Sequence, residues 1–194
     1  TTVKTKGNVQ ANVILNSQVS ADQKVTLTGK KGLIAGGSVH GMLGISCITA
    51  GNMSEIRTGL HVGLKQETME QRIDVNERYS KVNQELEDTV ASMAKIMRVR
   101  QQSGELSEPL QKHLVELKRR KDEIYTRCME IKKEANAMES MVLAAREAKI
   151  RVEGNIYHGV VISIDNHDMV INRDTSFMEY QCQNGIITGT VVVV

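Results

Sequence analysis

The chain has 194 residues, of which 25% are charged, and its formal net charge at pH 7 is +2. This length permits one domain or two, and the near balance of charges gives no indication of nucleic-acid binding. The longest apolar runs are far shorter than a membrane span, and no charged-then-apolar leader opens the chain. The composition therefore predicts an ordinary soluble protein that uses neither nucleic acid nor a membrane span.

Three cysteines stand far apart in the sequence, at Cys47, Cys128 and Cys182. An odd number at wide spacing favours buried free thiols in a reducing compartment over a disulfide framework. We therefore expect a cytoplasmic location. Because the sequence starts at Thr1 without a methionine and ends in four valines, we also expect it to be a fragment of a longer protein.

Residues 1–64 carry the pattern of short strands. Apolar side chains alternate with polar ones in brief runs that Gly, Asn, Ser or Asp separate. The density of glycines favours repeated tight corners in a solenoid, although ordinary hairpins use glycine in the same way. The corner positions singled out in this part are Gly32, Gly36, Gly37 and Gly63.

Residues 65–150 carry the heptad pattern of two long helices. Gly104, Ser107 and Pro109 lie between them and suit a helix stop, a cap and a first helical turn, which predicts antiparallel neighbours. The first seam consists of Val75, Tyr79, Val82, Leu86, Thr89, Met93 and Ile96. The second seam consists of Leu110, Leu114, Leu117, Lys121, Ile124, Cys128, Ile131, Ala135, Met138, Val142 and Ala145.

The two seams stay in step about the turn, which favours pairing within one chain. The alignment pairs residues whose position numbers total 206 or 207, from Ile96 with Leu110 to Val82 with Ile124. A helix of roughly 40 residues is on the order of 60 Å long, too long to hide inside a small globule. We therefore expect a projecting intramolecular coiled coil, with cysteines at Val82 and Ile124 cross-linking within one chain.

The strand pattern resumes in residues 151–194, with corners at Gly154 and Gly159. Because the two helices return the chain to where it left, this part is expected to continue the solenoid, and the helices are an insertion. Aromatic residues make up only 3% of the chain, so the core must consist of small aliphatic side chains, which suit the narrow interior of a β-helix. If it forms an exposed strand edge, the apolar end Val191–Val194 predicts a homo-oligomer.

Three glycine-containing segments flank the helical insert in a specific order. They are Gly29–Gly37 (GKKGLIAGG) and Ile56–Gly63 (IRTGLHVG) before it, and Gly154–Ile162 (GNIYHGVVI) after it. Their order and spacing resemble the conserved region of the flagellar assembly protein A (FapA) family over nearly the whole chain. His158 stands where family members commonly have proline, and Asp165 stands where they commonly have glycine.

This resemblance implies a right-handed parallel β-helix interrupted by an antiparallel coiled-coil hairpin. It also implies a bacterial cytoplasmic protein that serves polar flagellar assembly and motility at the cell pole. The glucose-specific phosphocarrier of the sugar phosphotransferase system is the partner that the resemblance suggests. No catalytic, cofactor-binding or metal-binding residues come with it.

The residues themselves give little sign of chemistry. The histidines show no metal-ligand spacing, and we interpret all of them as surface or corner residues. A β-helix acyltransferase of the hexapeptide-repeat kind, with His40 or His158 as its base, is an alternative that the irregular repeats disfavour. The histidines are His40, His61, His113, His158 and His167.

A basic run, Lys118–Lys121, lies on the second predicted helix. These positions spread around a helix axis, and pairs one turn apart, Glu116 with Arg120 and Glu123 with Arg127, favour a solvated face over a binding patch. Without interleaved aromatic residues, the run also lacks the stacking platforms of a single-strand-binding protein.

Lys121 is the one charged residue in the predicted seams. We interpret it as a device that fixes the helix register, with its amine reaching toward Glu85 or Glu87, rather than as a binding residue. Methionines on or beside the seams are interpreted as core packing, with re-packing around a partner as the alternative. They are Met69, Met93, Met97, Met138 and Met141.

The prediction is a non-enzymatic scaffold, a β-helix with a coiled-coil arm that docks a protein partner through a surface that the sequence does not identify. Flagellar assembly and the phosphocarrier enter through the resemblance. A self-polymerising β-helix similar to bactofilins is one alternative, and the acyltransferase is another.

Overall fold

The computed structural model describes residues 1–192. It contains thirteen strands and two long helices between the eighth and ninth strands. In chain order the elements are β1 (Thr2–Thr5), β2 (Val9–Ala11), β3 (Val13–Ala21), β4 (Lys24–Leu27), β5 (Leu33–Gly41), β6 (Gly44–Cys47), β7 (Thr49–Ala50), β8 (Thr58–Val62), α1 (Gln66–Ser103), α2 (Glu108–Arg146), β9 (Ile150–Ile156), β10 (Val161–Ile164), β11 (His167–Val170), β12 (Thr175–Gln183) and β13 (Ile186–Val191).

Parallel ladders join successive passes of the chain into a β solenoid of about three turns. One ladder runs β1–β3–β5–β8–β10, and a second runs β2–β4–β6–β9. A third ladder stacks the first halves of β3 and β5 with β7 and the end of β9. The β solenoid interrupted by two helices, expected from the sequence, is confirmed.

Aliphatic side chains fill the solenoid in stacks, because residues in register on neighbouring strands point the same way. Val25, Ile45 and Ile150 form one such row along the second ladder, and each is at most 2% exposed. A buried side chain of this kind contributes about 2 kcal/mol, so each row is a major source of stability. Other stacks are Leu27–Cys47–Val152, Ile14–Ile34–Ala50–Ile156 and Val19–Val39–Leu60–Ile162.

Two of the long strands bend where the chain turns from one ladder to the next. In β5 the bend is at Gly36 and Gly37, with φ of 76° and 86°. A Cβ at Gly37 would overlap the carbonyl of Ser17 and lie 2.8 Å from its nitrogen. Only glycine satisfies both the backbone angle and this close approach of two turns.

The two helices are inserted at one corner of the solenoid. In the preceding turn of the solenoid, the equivalent corner consists of only two residues. Met42 and Leu43 connect β5 to β6, which belong to the first and second ladders. The next corner of this kind connects β8 to β9 and holds residues 63–149. The hydrogen bonds from Gly63 N to Met42 O and from Ile45 N to the carbonyl of the residue before β9 keep the two corners in step.

The last three strands are antiparallel, although the sequence led us to expect that the solenoid continues to residue 194. β11 pairs with β10, and β12 pairs with both β9 and β13. Two-residue turns with positive φ account for two of these pairings: Asp165–Asn166 joins β10 to β11, and Asn184–Gly185 joins β12 to β13. Such turns match the twist of antiparallel hairpins.

The apolar end of the chain lies only partly within the described residues. β13 ends at Val191, which is 71% exposed, while Val193 and Val194 lie outside the described residues. Self-association through this end stays a prediction.

The helical hairpin forms a compact unit of its own, Gln66–Ser140, and residues 1–65 and 141–194 form the other. α1 ends where Gly104 adopts a φ of 77°, as a left-handed helix stop requires. α2 begins with Pro109 in its first turn, and Gln111 N donates to Ser107 O. Among the described residues, no helix is long and apolar enough to span a membrane.

Candidate functional site

The seam residues predicted for the hairpin are all buried or half-buried. Val75, Thr89 and Ile96 on α1 are buried, and Tyr79, Val82, Leu86 and Met93 are half-buried. On α2, Leu114, Leu117, Ile124, Cys128, Val142 and Ala145 are buried, while Leu110, Lys121, Ile131, Ala135 and Met138 are half-buried. The structure gathers Ile96, Leu106, Leu114 and Leu117 into one apolar cluster beside Met93 and Leu110.

The two seams meet in a register different from the predicted one. Cys128 Sγ lies 4.0 Å from Asn83 Oδ1, and the position numbers of this pair total 211. Arg72 and Glu139 also total 211, and their side chains are 2.9 Å apart. The predicted total of 206 or 207 is therefore wrong by about one helical turn, and the long Arg120 side chain reaches back along the hairpin to contact Glu85 at a total of 205.

The turn explains this shift. α1 ends at Ser103 and α2 begins at Glu108, and these positions also total 211. A tight turn sets the ends of both helices level, so the turn fixes which residues face each other. The predicted pairing relied on similarity of heptad position, which does not fix which residues face each other.

Glu85 on α1 forms the main charged contact across the hairpin. Its two carboxylate oxygens accept hydrogen bonds from Arg120 and Arg127, each at 2.8 Å. The hydrogen bond from Arg120, together with the charge of Arg127, lowers the pKa of Glu85. Lys121, which we expected to reach toward Glu85 or Glu87, instead lies 2.9 Å from its neighbour Asp122.

The basic run is solvated, but its ion pairs differ from the predicted ones. Arg119 binds Glu116 and Glu123 along the helix, where we expected Arg120 and Arg127 to do so. Arg120 and Arg127 cross to α1 because Glu85 lies between them on the facing helix. The two arginines therefore tie the helices together.

Several apolar side chains of the hairpin remain exposed. Met69, Met97 and Met141, interpreted as core residues, are 38%, 43% and 37% exposed. On α2, Tyr125 is 54% and Met129 is 48% exposed, and they line a surface groove of about 620 Å³. The hairpin thus presents apolar surface in addition to the residues that its two helices bury against each other.

His158 lies between two carboxylates at a corner of the solenoid. Its Nδ1 is 2.7 Å from Asp174 Oδ1, and its Nε2 is 2.9 Å from Glu55 Oε1. The hydrogen bonds to Asp174 and then to Glu55 raise the pKa of His158, and the bond from His158 lowers the pKa of Asp174. A histidine held at both nitrogens by carboxylates clamps the corner and is a poor general base.

His40 and His61, interpreted as surface or corner residues, instead lie half-buried and side by side within strands of the first ladder. Ser20, His40, His61, Ser163 and Asp168 lie opposite one another in register on five strands. Partial burial lowers the pKa of both histidines. The sequence signal for this row was the spacing of its members. Ser20, His40 and His61 are 20 and then 21 residues apart, which is one turn of the solenoid each time.

The other predicted positions are glycines at bends, a glycine where two strands approach closely, and a buried thiol. Gly32, Gly63 and Gly159 have positive φ, whereas Gly154 lies within β9, where a Cβ would be 2.7 Å from Ile48 O. Burial raises the pKa of the Cys47 thiol to about 12. Residues 1–192 contain no group of three or more His, Cys, Asp or Glu side chains able to hold a metal ion.

The sequence analysis missed β12 and the hairpin that it forms with β13. Asn184–Gly185 is the strongest short-range hairpin signal in the chain, and Phe177, Met178 and Tyr180 supply strand-forming side chains before it. These residues were not recognised because the solenoid was expected to continue through them.

Comparison with known proteins gives one match. The family model for the Flagellar Assembly Protein A (FapA) beta solenoid domain matches residues 1–187. No curated protein and no solved structure matches the chain. The match spans nearly all of the sequence and agrees with the β solenoid of the structure, so the chain belongs to the FapA family.

Proposed function

We propose that this protein is a non-enzymatic scaffold of flagellar assembly whose helical hairpin docks a protein partner. The observation that carries the proposal is the size of the insertion. One corner of the solenoid is closed by Met42 and Leu43, whereas the equivalent corner holds residues 63–149. The solenoid does not need those residues to turn, so they serve another purpose.

The surface of the hairpin supports a docking role. Its inward face is filled by contacts between α1 and α2, and Glu85, Arg120 and Arg127 hold the two helices together. A prearranged pair of helices loses little conformational freedom on binding, which favours its use as a recognition element. The exposed apolar residues Met97, Tyr125 and Met129 give a partner something to bury.

Family membership supports the finer parts of the proposal. We place the protein in the bacterial cytoplasm at the cell pole, with a right-handed solenoid and a role in motility. As its partner we propose the glucose-specific phosphocarrier of the sugar phosphotransferase system, which would connect flagellar assembly to sugar uptake.

A pull-down experiment tests the docking role. The hairpin, Gly63–Ala148, is replaced by the two-residue sequence Met-Leu, which closes the equivalent corner one turn earlier. The intact protein and the replacement are used to capture the purified phosphocarrier, in its phosphorylated and unphosphorylated forms. We expect capture by the intact protein alone.

One control and two contrary outcomes determine how the pull-down is interpreted. Circular dichroism of the replacement must show folded β structure, so that lost capture reflects the missing hairpin. Equal capture by both proteins would contradict docking on the hairpin, and absence of capture by the intact protein would contradict the proposed partner.

The acyltransferase alternative receives less support from the residues. Both nitrogens of His158 face carboxylates. In His40, Nε2 lies 3.1 Å from Gly63 O, and Nδ1 is buried. A base must have a free lone pair directed at its substrate. Turnover of an acyl-CoA donor that disappears on the substitution His158→Gln would favour the enzyme.

Self-polymerisation is a second candidate, and the edge of the first solenoid turn favours it. β1 and β2 each pair with a single strand, and Val3, Val13 and Leu15 on this turn are exposed. Electron microscopy of the purified protein tests this candidate directly. Filaments would support it, and dispersed particles across the micromolar range would exclude it.

A further inference from the structure

The outer face of α2 carries a second heptad stripe, separate from the seam that faces α1. Asp122, Tyr125, Met129, Lys132 and Asn136 follow one another in steps of three and four residues. All five are exposed, and four of them line the surface groove of about 620 Å³. Steps of three and four place these side chains in one row along the helix, as in a coiled-coil seam.

This stripe is self-complementary. When two copies of α2 are placed antiparallel about Arg127, residues whose positions total 254 face each other. Tyr125 then meets Met129 of the second copy, and Asp122 meets Lys132, and each contact occurs twice because of the two-fold symmetry. Thioether–aromatic contacts and flanking ion pairs are both attractive.

The charges beside the stripe agree with this arrangement. Lys133 and Arg119 of the second copy total 252, so they lie beside the facing residues as near neighbours. Arg119 is held between Glu116 and Glu123 of its own helix, so this cluster carries a net negative charge. Asp122 is 73% exposed, and its contact with Lys121 joins neighbouring residues on the surface, so it remains able to bind a further cation.

We propose that two copies of this chain associate through the outer faces of their α2 helices, centred on Tyr125 and Met129, and form an antiparallel four-helix assembly. This inference goes beyond the docking role, because the occupant of the stripe is a second copy of the chain. It assigns Tyr125 and Met129 to the contact between copies and leaves Met97 on α1 for a different partner.

Light scattering of the intact protein tests the association. The expected mass across the micromolar range approaches twice that of one chain. It decreases with added salt, because ion pairs flank the apolar centre. A mass of one chain at every concentration would overturn the proposal and leave the stripe to a different protein.

A charge exchange tests the register. Lys132→Asp alone places two carboxylates opposite each other at both ends of the interface, and we expect the dimer constant to weaken at least tenfold. Adding Asp122→Lys to the same chain restores opposite charges, and the dimer should return. The matched control is Lys95→Asp, an exposed reversal on α1 that leaves the mass unchanged.

The double variant separates this interface from any other. Lys132→Asp could weaken a dimer built elsewhere on the hairpin, but only facing residues are rescued by the exchange. A dimer that Lys132→Asp leaves intact, or that Asp122→Lys fails to restore, would overturn the proposed interface. Circular dichroism at 222 nm checks that each variant keeps its helices.

Discussion

Single residues at the solenoid corners determine whether successive turns stack. Gly37 and Gly159 have nearly the same φ, 86° and 81°, but different surroundings. The backbone of Ser17 lies against the Cα of Gly37, whereas nothing lies within 4 Å of a Cβ built on Gly159. This pair separates two costs of replacing glycine, the backbone angle and the contact between turns.

We predict that Gly37→Ala destabilises the protein far more than Gly159→Ala. The second change carries only the cost of a left-handed backbone angle, about 1 kcal/mol. The first also forces neighbouring strands apart, which we expect to cost about 3 kcal/mol or more. Urea unfolding of both variants measures the difference, and equal losses would show that the contact with Ser17 relaxes easily.

The histidines are predicted to affect stability in opposite directions as pH changes. Burial lowers the pKa of His40 and His61 in the folded protein. The unfolded chain then binds more protons, so their contribution is lost as pH falls below about 6.5. The pKa of His158 is raised, so its contribution is present at acidic pH and lost as pH rises through the folded value.

Urea unfolding at about pH 5.5 and pH 8.5 distinguishes these contributions. His158→Gln should reduce the free energy of unfolding at the acidic pH and change it little at the basic pH. His40→Gln should flatten the acid-side decline of the native protein. A loss for His158→Gln that is the same at both pH values would exclude the charged clamp with Asp174 and Glu55.

At the scale of the elements, heptad spacing was enough to predict two helices and the side chains that face inward. It was not enough to predict their register, because shifting one helix by about one turn again brings apolar seam residues of the two helices together. The turn between Ser103 and Glu108 supplies the missing information. Alternating strands were likewise predictable, but the change to antiparallel pairing depends on two-residue turns such as Asp165–Asn166.

The hairpin register is testable with one new cysteine. The observed register places Val82 within one residue of level with the native Cys128, which contacts Asn83, whereas the predicted one pairs Val82 with Ile124. We therefore predict that Val82→Cys cross-links to Cys128 within one chain under mild oxidation. Mass spectrometry of the digested protein identifies the linked peptides.

A matched variant controls for proximity alone. Val82→Cys combined with Ile124→Cys and Cys128→Ala should cross-link more slowly, since these positions differ by about one helical turn from level. Faster cross-linking of this combination would restore the register that the sequence suggested.

At the scale of the whole molecule, residues before the helices and residues after them together form the core of one solenoid. Ile45 and Ile150 lie in register on neighbouring strands although 105 positions separate them in the sequence. Sequence patterns gave both halves of this core, and family membership agrees with their joining into one solenoid. The candidate docking surface was less predictable, since exposed side chains have no periodic partner in the sequence.

We predict that the solenoid folds without the hairpin. β8 is fixed by its hydrogen bonds to β5, and β9 by its bonds to β6 and β12, so neither strand depends on α1 or α2 for its register. Shortening the connection also lowers the entropy cost of closing the corner.

The Met-Leu replacement of residues 63–148 should therefore retain a cooperative unfolding transition, with the helical signal at 222 nm lost and the β signal kept. Loss of the cooperative transition would show instead that residues 141–148, of which Val142, Ala145 and Ala148 are buried, are needed to complete the core. A second replacement that ends at Ser140 and retains those residues would then recover the fold.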